Sequence, residues 1–70
     1  MTSLVLTARE CECLRLLAEG LRWKQIAARL GIGVRTVETH LQSIGRKTQI
    51  HGVANLVRLA WVLNLQEEEK

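Results

Sequence analysis

The sequence predicts an all-α fold, a four-helix bundle whose second and third helices form a helix-turn-helix. Apolar residues recur at intervals of three and four, which is the period of one helical face. Glycines interrupt that pattern at positions 20, 31, 33 and 52, where helices would end or begin, and the chain has no proline. Its 70 residues suffice for one domain covering residues 1–70, and they leave no room for a catalytic cleft beside a core.

The first helix is predicted to follow a leading segment, residues 1–6. Thr7 stands three residues before Glu10, which is the spacing of a capping box. Gly20 fits the left-handed position that ends a helix. The apolar face of this helix is supplied by Leu14, Leu17 and Ala18, together with Cys11 or Cys13.

Two further helices are predicted from about Trp23 to Leu30 and from about Val34 to Thr48. The turn between them, Gly31-Ile32-Gly33, is short enough to set the helices at a steep angle, with Ile32 plugging that angle. Gly33 is an acceptable N-cap for the third helix. The expected buried stripes are Ile26, Ala27 and Leu30 on the second helix, and Val37, Leu41 and Ile44 on the third.

A fourth helix, from about Gly52 to Leu65, is apolar around most of its circumference. One stripe contains Val53, Leu56, Val57, Ala60 and Asn64, and more apolar surface comes from Trp61, Val62 and Leu65. A domain this small cannot enclose a helix on every side, so part of this surface should meet a partner. Residues 66–70 are expected to form a frayed acidic tail.

Charge is concentrated in the middle of the chain. The whole chain carries a formal +3, whereas residues 20–50 carry +5, because six basic side chains stand there with Glu38 as the one acidic residue. A basic centre in a small helical domain favours a polyanionic partner.

Several other classes of function are disfavoured. Cys11 and Cys13 are two residues apart on a helix, so they diverge and cannot easily form a disulfide. Together with His40 and His51 they match no standard zinc-ligand spacing, and neither a metal nor another cofactor is expected. No run of apolar residues approaches a membrane span, and no signal peptide stands at the start. We expect a cytoplasmic protein that is not an enzyme.

The third helix carries a polar stripe opposite its apolar one, made of Arg35, Glu38, Thr39, Gln42 and Arg46. Arginine can bind guanine, glutamine can bind adenine, glutamate can accept from cytosine, and a threonine methyl can contact thymine. A single helix of this kind fits the major groove of double-stranded DNA. Glu38 has a second interpretation, an intrahelical pair with Arg35 or Gln42.

The flanks of this stripe are suited to the phosphates rather than the bases. Arg22, Lys24, Lys47 and the amides that begin the second and third helices could hold the DNA backbone. Such contacts fix register and supply affinity that falls with salt.

The runs LTARECECLRLLAEGL, KQIAARLGI, RTVETHLQSIGRK and ANLVRLA resemble the LuxR-type helix-turn-helix domain, also called GerE-like or NarL-like. The resemblance covers about Leu6 to Ala60 and implies a bacterial transcription regulator that binds paired DNA half-sites as a homodimer. It implies that Glu38, Thr39 and Gln42 lie in the major groove, and that Thr36, His40 and Lys47 lie near the backbone. The implied dimerisation surface is the fourth helix, through Val57, Arg58, Trp61, Val62 and Leu65.

The chain departs from this family at several positions. Arg22-Trp23 replaces a Ser or Thr followed by Asn, Val53 replaces a common Arg, and Gly45 weakens the third helix. Trp23 could pack on the DNA backbone, fill a partner's pocket or cover the core. His40 could equally be a packed, hydrogen-bonded structural histidine.

Two broader questions also stay open. An alternative function is a protein-interaction module that pairs with another transcription regulator and blocks or redirects it. Because the sequence begins with Met1 and ends in an acidic tail, we expect a freestanding small regulator rather than an excised domain.

Overall fold

The computed structural model of the chain describes residues 6–63. It contains α1 (Ala8–Ala18), α2 (Trp23–Leu30), α3 (Val34–Thr48) and α4 (Val53–Val62). No strand occurs between residues 6 and 63, so the all-α prediction is confirmed, and α2 and α3 have the predicted bounds. The predicted continuation of α4 to Leu65, like residues 1–5 and the acidic tail, lies outside the described residues.

The start of α1 is fixed by the predicted capping box. The Thr7 hydroxyl oxygen accepts the Glu10 amide at 3.1 Å, and the Glu10 carboxylate accepts the Thr7 amide at 2.9 Å. Two of the amides that a helix start leaves without partners are thereby satisfied.

The connections also follow the predicted chemistry. Gly20 has φ +96° and Gly31 has φ +70°, a region that glycine enters without steric cost. Ile32 is half-buried and packs against the core, as a plug between α2 and α3 should. Gly33 is the N-cap of α3, in an extended conformation.

The core is aliphatic and draws on all four helices. Its buried members are Cys13, Leu14, Leu16, Leu17, Ile26, Ala27, Val37, Leu41, Ile44, Leu56, Leu59 and Ala60. The predicted stripe of α4 was wrong at its first position, since Val53 is 54% exposed. The buried face of α4 instead runs through Leu56, Leu59 and Ala60, so the helix is rotated relative to the predicted stripe.

A partly buried ion pair joins α1 to α3. Glu10 is only 3% exposed, and its carboxylate accepts a hydrogen bond from the Lys47 ammonium at 2.8 Å. Burial alone would raise the Glu10 pKa, but hydrogen bonds from Lys47, Ser43 and the Thr7 backbone outweigh it and lower the pKa to about 2. The carboxylate is therefore charged in the folded protein at neutral pH.

The connection between α3 and α4 is tightly folded. Gln49 has φ +62°, which a non-glycine side chain rarely adopts. The Thr48 hydroxyl donates to the Ile44 carbonyl at 2.8 Å and accepts the Ile50 amide at 3.1 Å. A Cβ atom on Gly45 would lie 2.8 Å from the His51 ring nitrogen Nδ1, so glycine lets this connection approach α3 closely.

The two cysteines, Cys11 and Cys13, are free, and burial raises the pKa of the Cys13 thiol. Among residues 6–63, no helix is long and apolar enough to cross a bilayer.

We predict that Glu10→Gln lowers the free energy of unfolding by about 2 kcal/mol at pH 7, because the charged contact to Lys47 is lost. The folded pKa lies below the ordinary value of 4.5. The stabilisation is therefore present above about pH 4.5 and is lost as the pH falls towards 2. Urea unfolding at pH 7 and pH 3 should show the two proteins converging in acid.

The matched control for this variant is Glu12→Gln. Glu12 pairs with Arg9 on the same helix, but both side chains are more than 40% exposed, so removing its charge should cost less than about 0.5 kcal/mol. Equal losses in the two variants, or a Glu10→Gln loss that persists unchanged at pH 3, would contradict the assignment.

We also predict that Gly45→Ala does not deliver the usual helix-propensity gain of about 1 kcal/mol, because its methyl group would collide with the His51 ring. In a His51→Ala background the collision with the ring is removed and part of the gain should return, although the Ile50 carbonyl oxygen would still lie 3.3 Å from the new Cβ atom. A double-mutant cycle measured by thermal unfolding reports this coupling directly. Equal gains in both backgrounds would show that the ring simply moves aside.

Candidate nucleic-acid interface

The solvent-facing side of α3 is the polar stripe predicted from the sequence. Arg35, Thr39, Gln42 and Arg46 are all exposed, whereas Val37, Leu41 and Ile44 on the opposite side are buried. From Arg35 to Arg46 the helix rises about 16 Å. This length is comparable with four to five base-pair steps along a duplex.

Glu38 differs from the rest of the stripe. It is half-buried, and its carboxylate accepts a hydrogen bond from the Gln42 side-chain amide at 3.5 Å. Of the two intrahelical partners that the sequence allowed, the structure contains Gln42. At this length the bond is weak, so both side chains can exchange it for another partner at little cost.

The hydroxyl of Thr39 is directed back towards the α3 backbone. Its hydroxyl donates to the Arg35 carbonyl at 3.0 Å. The hydroxyl is thus already satisfied within α3, which favours an apolar contact through the methyl group of Thr39.

Apart from Arg58, which is exposed on α4, the lysines and arginines of the described residues fall into two groups. Arg9, Arg15 and Lys47 each form an ion pair with a glutamate of the α1 region. In contrast, five side chains of α2, α3 and their flanks have no acidic partner within residues 6–63, namely Arg22, Lys24, Arg29, Arg35 and Arg46. The helix-turn-helix therefore carries most of the uncompensated positive charge of the described residues.

The residues predicted to contact phosphates lie in different environments. Arg22, Lys24 and Thr36 are exposed. Lys47 has a side chain that is 36% exposed, but its ammonium is already engaged by Glu10. His40 is half-buried and makes no hydrogen bond with another described residue, so the hydrogen bond expected of a structural histidine is not formed within residues 6–63.

The first turns of α2 and α3 lack side-chain caps. At α2 the Gln25 side chain accepts the amide of Arg22 at 2.7 Å, but an arginine side chain has no acceptor with which to complete a capping box. At α3 the N-cap residue is Gly33, which has no side chain at all. The Trp23 and Lys24 amides of α2 and the Val34 and Arg35 amides of α3 are consequently available to an external anion, whereas the Thr36 amide already donates to the Gly33 carbonyl at 3.1 Å.

The surface of α4 that faces solvent is apolar. Trp61 is 57% exposed and Val62 is 74% exposed, with Arg58 exposed beside them. Val57 is half-buried and packs against the core. Leu65, the remaining residue predicted for a dimer surface, lies outside the described residues.

An open cleft of about 180 Å³ lies between the start of α2, one edge of α3 and the start of α4. Its lining includes Trp23 from α2, Glu38 and Gln42 from α3, and Val53 from α4. The sequence left the role of Trp23 open, and the structure brings this side chain beside the polar stripe. Periodicity could not reveal that proximity, because it depends on how the three elements are arranged in space.

The Glu10–Lys47 pair was also missed. The sequence identified Glu10 as a capping residue and Lys47 as a phosphate contact, but it gave no sign that they meet. They are 37 positions apart, and the one local signal was an acidic residue inside an otherwise apolar helical face. No group of three or more metal-ligating side chains occurs in the part of the chain that the structure describes.

Comparison with known proteins gives a consistent picture. The family described as "Bacterial regulatory proteins, luxR family" matches residues 4–60. The chain is 48% identical over 50 residues to the C4-dicarboxylate transport transcriptional regulatory protein DctR of Rhodobacter capsulatus, and this alignment covers 71% of the chain and 25% of that protein. It is 40% identical over 58 residues to the monoamine regulon transcriptional regulator of Klebsiella aerogenes, and this alignment covers 83% of the chain and 26% of that protein.

The chain thus spans about a quarter of the length of these two relatives. Both are named as regulators of transcription and neither as an enzyme, and the family match extends over α1 to α3 and most of α4. The chain belongs to the LuxR family of bacterial regulatory proteins.

Proposed function

We propose that this chain binds double-stranded DNA sequence-specifically, as a homodimer, and regulates transcription with α3 in the major groove. The observation that carries the proposal is the exposed polar face of α3, flanked by cations that no glutamate of the described chain neutralises. A duplex supplies both the base edges and the phosphates that such a surface requires.

Within this proposal, the base contacts come from Arg35, Glu38, Thr39, Gln42 and Arg46. Arg35 and Arg46 suit guanine, and the side-chain amide of Gln42 suits adenine. Glu38 accepts from cytosine when its weak bond to Gln42 is exchanged.

The phosphate contacts come from Arg22, Lys24, Thr36, His40 and Lys47, with the open amides of α2 and α3. Lys47 stays in this set because an ammonium has three N–H donors, of which Glu10 occupies one. Its charge is already offset by that carboxylate, so Lys47 should add less salt-dependent affinity than Arg22 or Lys24.

The dimer surface is the solvent-facing side of α4, through Val57, Arg58, Trp61, Val62 and Leu65. Burying exposed apolar side chains such as Trp61 and Val62 against a second surface is favourable, and exposed apolar patches commonly mark interfaces. A pair of chains related by a two-fold axis then presents two α3 helices to successive major grooves.

The alternative function, pairing with another regulator, draws on the same apolar surface of α4. It predicts tight association with a second regulatory protein and no affinity for duplexes even at low salt. Enrichment of duplexes from a random pool separates the two functions, since recovery of a site with two half-sites requires DNA binding and a dimer together.

We predict that Gln42→Ala weakens binding to the recovered duplex by about 1–3 kcal/mol and leaves binding to unrelated duplexes unchanged. Lys24→Gln should instead weaken binding to all duplexes similarly and lower the slope of log affinity against log salt by about 1. Fluorescence anisotropy of labelled duplexes across a salt series measures both effects. If Gln42→Ala weakens all duplexes equally, Gln42 does not read a base.

We predict that Val62→Glu abolishes self-association and the cooperative occupation of paired half-sites. The residue is 74% exposed, so the substitution should leave folding intact, and sedimentation velocity measures the oligomeric state. Val53→Glu places the same charge on an exposed valine of the same helix, about 180° around it from Val62, and should leave self-association unchanged. Dimers that persist in Val62→Glu would exclude this side of α4 as the interface.

A further inference from the structure

We propose that Trp23 anchors one strand of the bound duplex without charge, its indole ring packing on a deoxyribose and its N–H donating to a phosphate oxygen. This inference rests on the proposed function and names a contact that the base and phosphate residues above do not include. The occupant of the cleft beside Trp23 is accordingly the sugar-phosphate backbone at the edge of the major groove.

The first argument is continuity with the face of α3. Glu38 and Gln42 belong to the polar stripe and also line the cleft that Trp23 and Val53 border. A helix in the major groove has a phosphodiester strand along each side. The strand beside Glu38 and Gln42 would therefore lie over this cleft.

The second argument is the chemistry of Trp23 itself. The side chain is 36% exposed, and its N–H has no hydrogen-bond partner among the described residues. A tryptophan offers an apolar body and one donor. A deoxyribose next to a phosphate presents an apolar ring and anionic acceptors, which is the complementary combination.

The third argument is the charge on either side. Arg22 and Lys24 flank Trp23 in the chain, are exposed, and have no acidic partner within residues 6–63. Two free cations beside an apolar cleft favour an anionic strand over an uncharged protein surface.

The experiment uses the fact that the chain has two tryptophans, Trp23 and Trp61. In Trp61→Phe, Trp23 is the single tryptophan, and its fluorescence and quenching by neutral acrylamide report its environment. Because Trp61 belongs to the proposed dimer surface, the variant is used at concentrations at which anisotropy shows it fully bound to the duplex. Titration with the duplex recovered from the random pool, labelled so that anisotropy reports binding, should protect Trp23 from acrylamide at the same midpoint as binding. No substitution of Trp23 is needed for this measurement, so it does not depend on how well a variant at position 23 folds.

Variants at position 23 supply the energetic measure. Trp23→Ala should lower affinity about tenfold and Trp23→Phe, which keeps a ring but loses the donor, by about threefold. Neither should change the slope of log affinity against log salt, because no charge is removed. Lys24→Gln is the matched control at the neighbouring position, since there the slope itself should fall. Thermal unfolding of each variant establishes that the loss of affinity is not a loss of fold.

Three results would overturn the inference while leaving the proposed function intact. In the first, the duplex binds but acrylamide quenching of Trp23 is unchanged. In the second, Trp23 becomes protected as protein concentration rises without DNA, which would assign the cleft to a second copy of the chain. In the third, the effect of Trp23→Ala disappears when thymine is replaced by uracil in the duplex, which would move the contact to a base methyl. Absence of any duplex binding by the unsubstituted chain at low salt would instead refute the proposed function.

Discussion

The arrangement of this domain depends on one buried carboxylate. Glu10 closes the capping box of α1 through Thr7, and the same side chain receives the Lys47 ammonium from the last turn of α3. A carboxylate removed from water is costly unless its acceptors are filled. The need to fill them holds the end of α3 against the start of α1. The position of the helix that carries the polar stripe is thereby tied to the first helix of the bundle.

The same interaction helps to separate the charges of the molecule. Three of the four glutamates in the described residues, Glu10, Glu12 and Glu19, belong to α1 and its C-cap, and they pair with cations on or facing α1. The helix-turn-helix retains one glutamate, Glu38, among cations that lack partners. Because α1 neutralises its own cations and that of Lys47, five of the six unpaired cations of the described residues lie on α2, α3 and their flanks, and the sixth is Arg58 on α4.

The sequence predicted the elements better than it predicted their contacts. Helix bounds followed from local signals, the Thr7–Glu10 spacing and the glycines at 20, 31 and 33, because caps and left-handed turns depend on adjacent residues alone. Apolar periodicity placed the buried side of α3 correctly. It failed on α4, where nearly every position is apolar, so that Val53 and Leu59 could not be ranked without knowing which side α1 covers.

Contacts between residues far apart in the sequence could not be predicted either, because they too depend on how the helices pack. Glu10 and Lys47, or Trp23 and Gln42, meet only after the four helices have packed. Gly45 is instructive here: helix propensity describes it as a weakness, whereas the structure shows a residue whose missing side chain admits the His51 ring. Local energies identify such a residue as unfavourable, and the packing supplies the reason for it.

Three positions at which this chain departs from its family, Trp23, Gly45 and Val53, line one cleft beside α3. The departures therefore form one continuous surface, and that surface is uncharged at the edge of the helix proposed to enter the groove. Non-specific affinity for DNA comes almost entirely from cations that contact phosphates. In the proposed complex, Val53 in place of a common arginine, together with the charge of Lys47 offset by Glu10, would lower that sequence-independent affinity. The proposed base contacts of α3 would then supply a larger share of the binding energy, and discrimination between sites would increase accordingly.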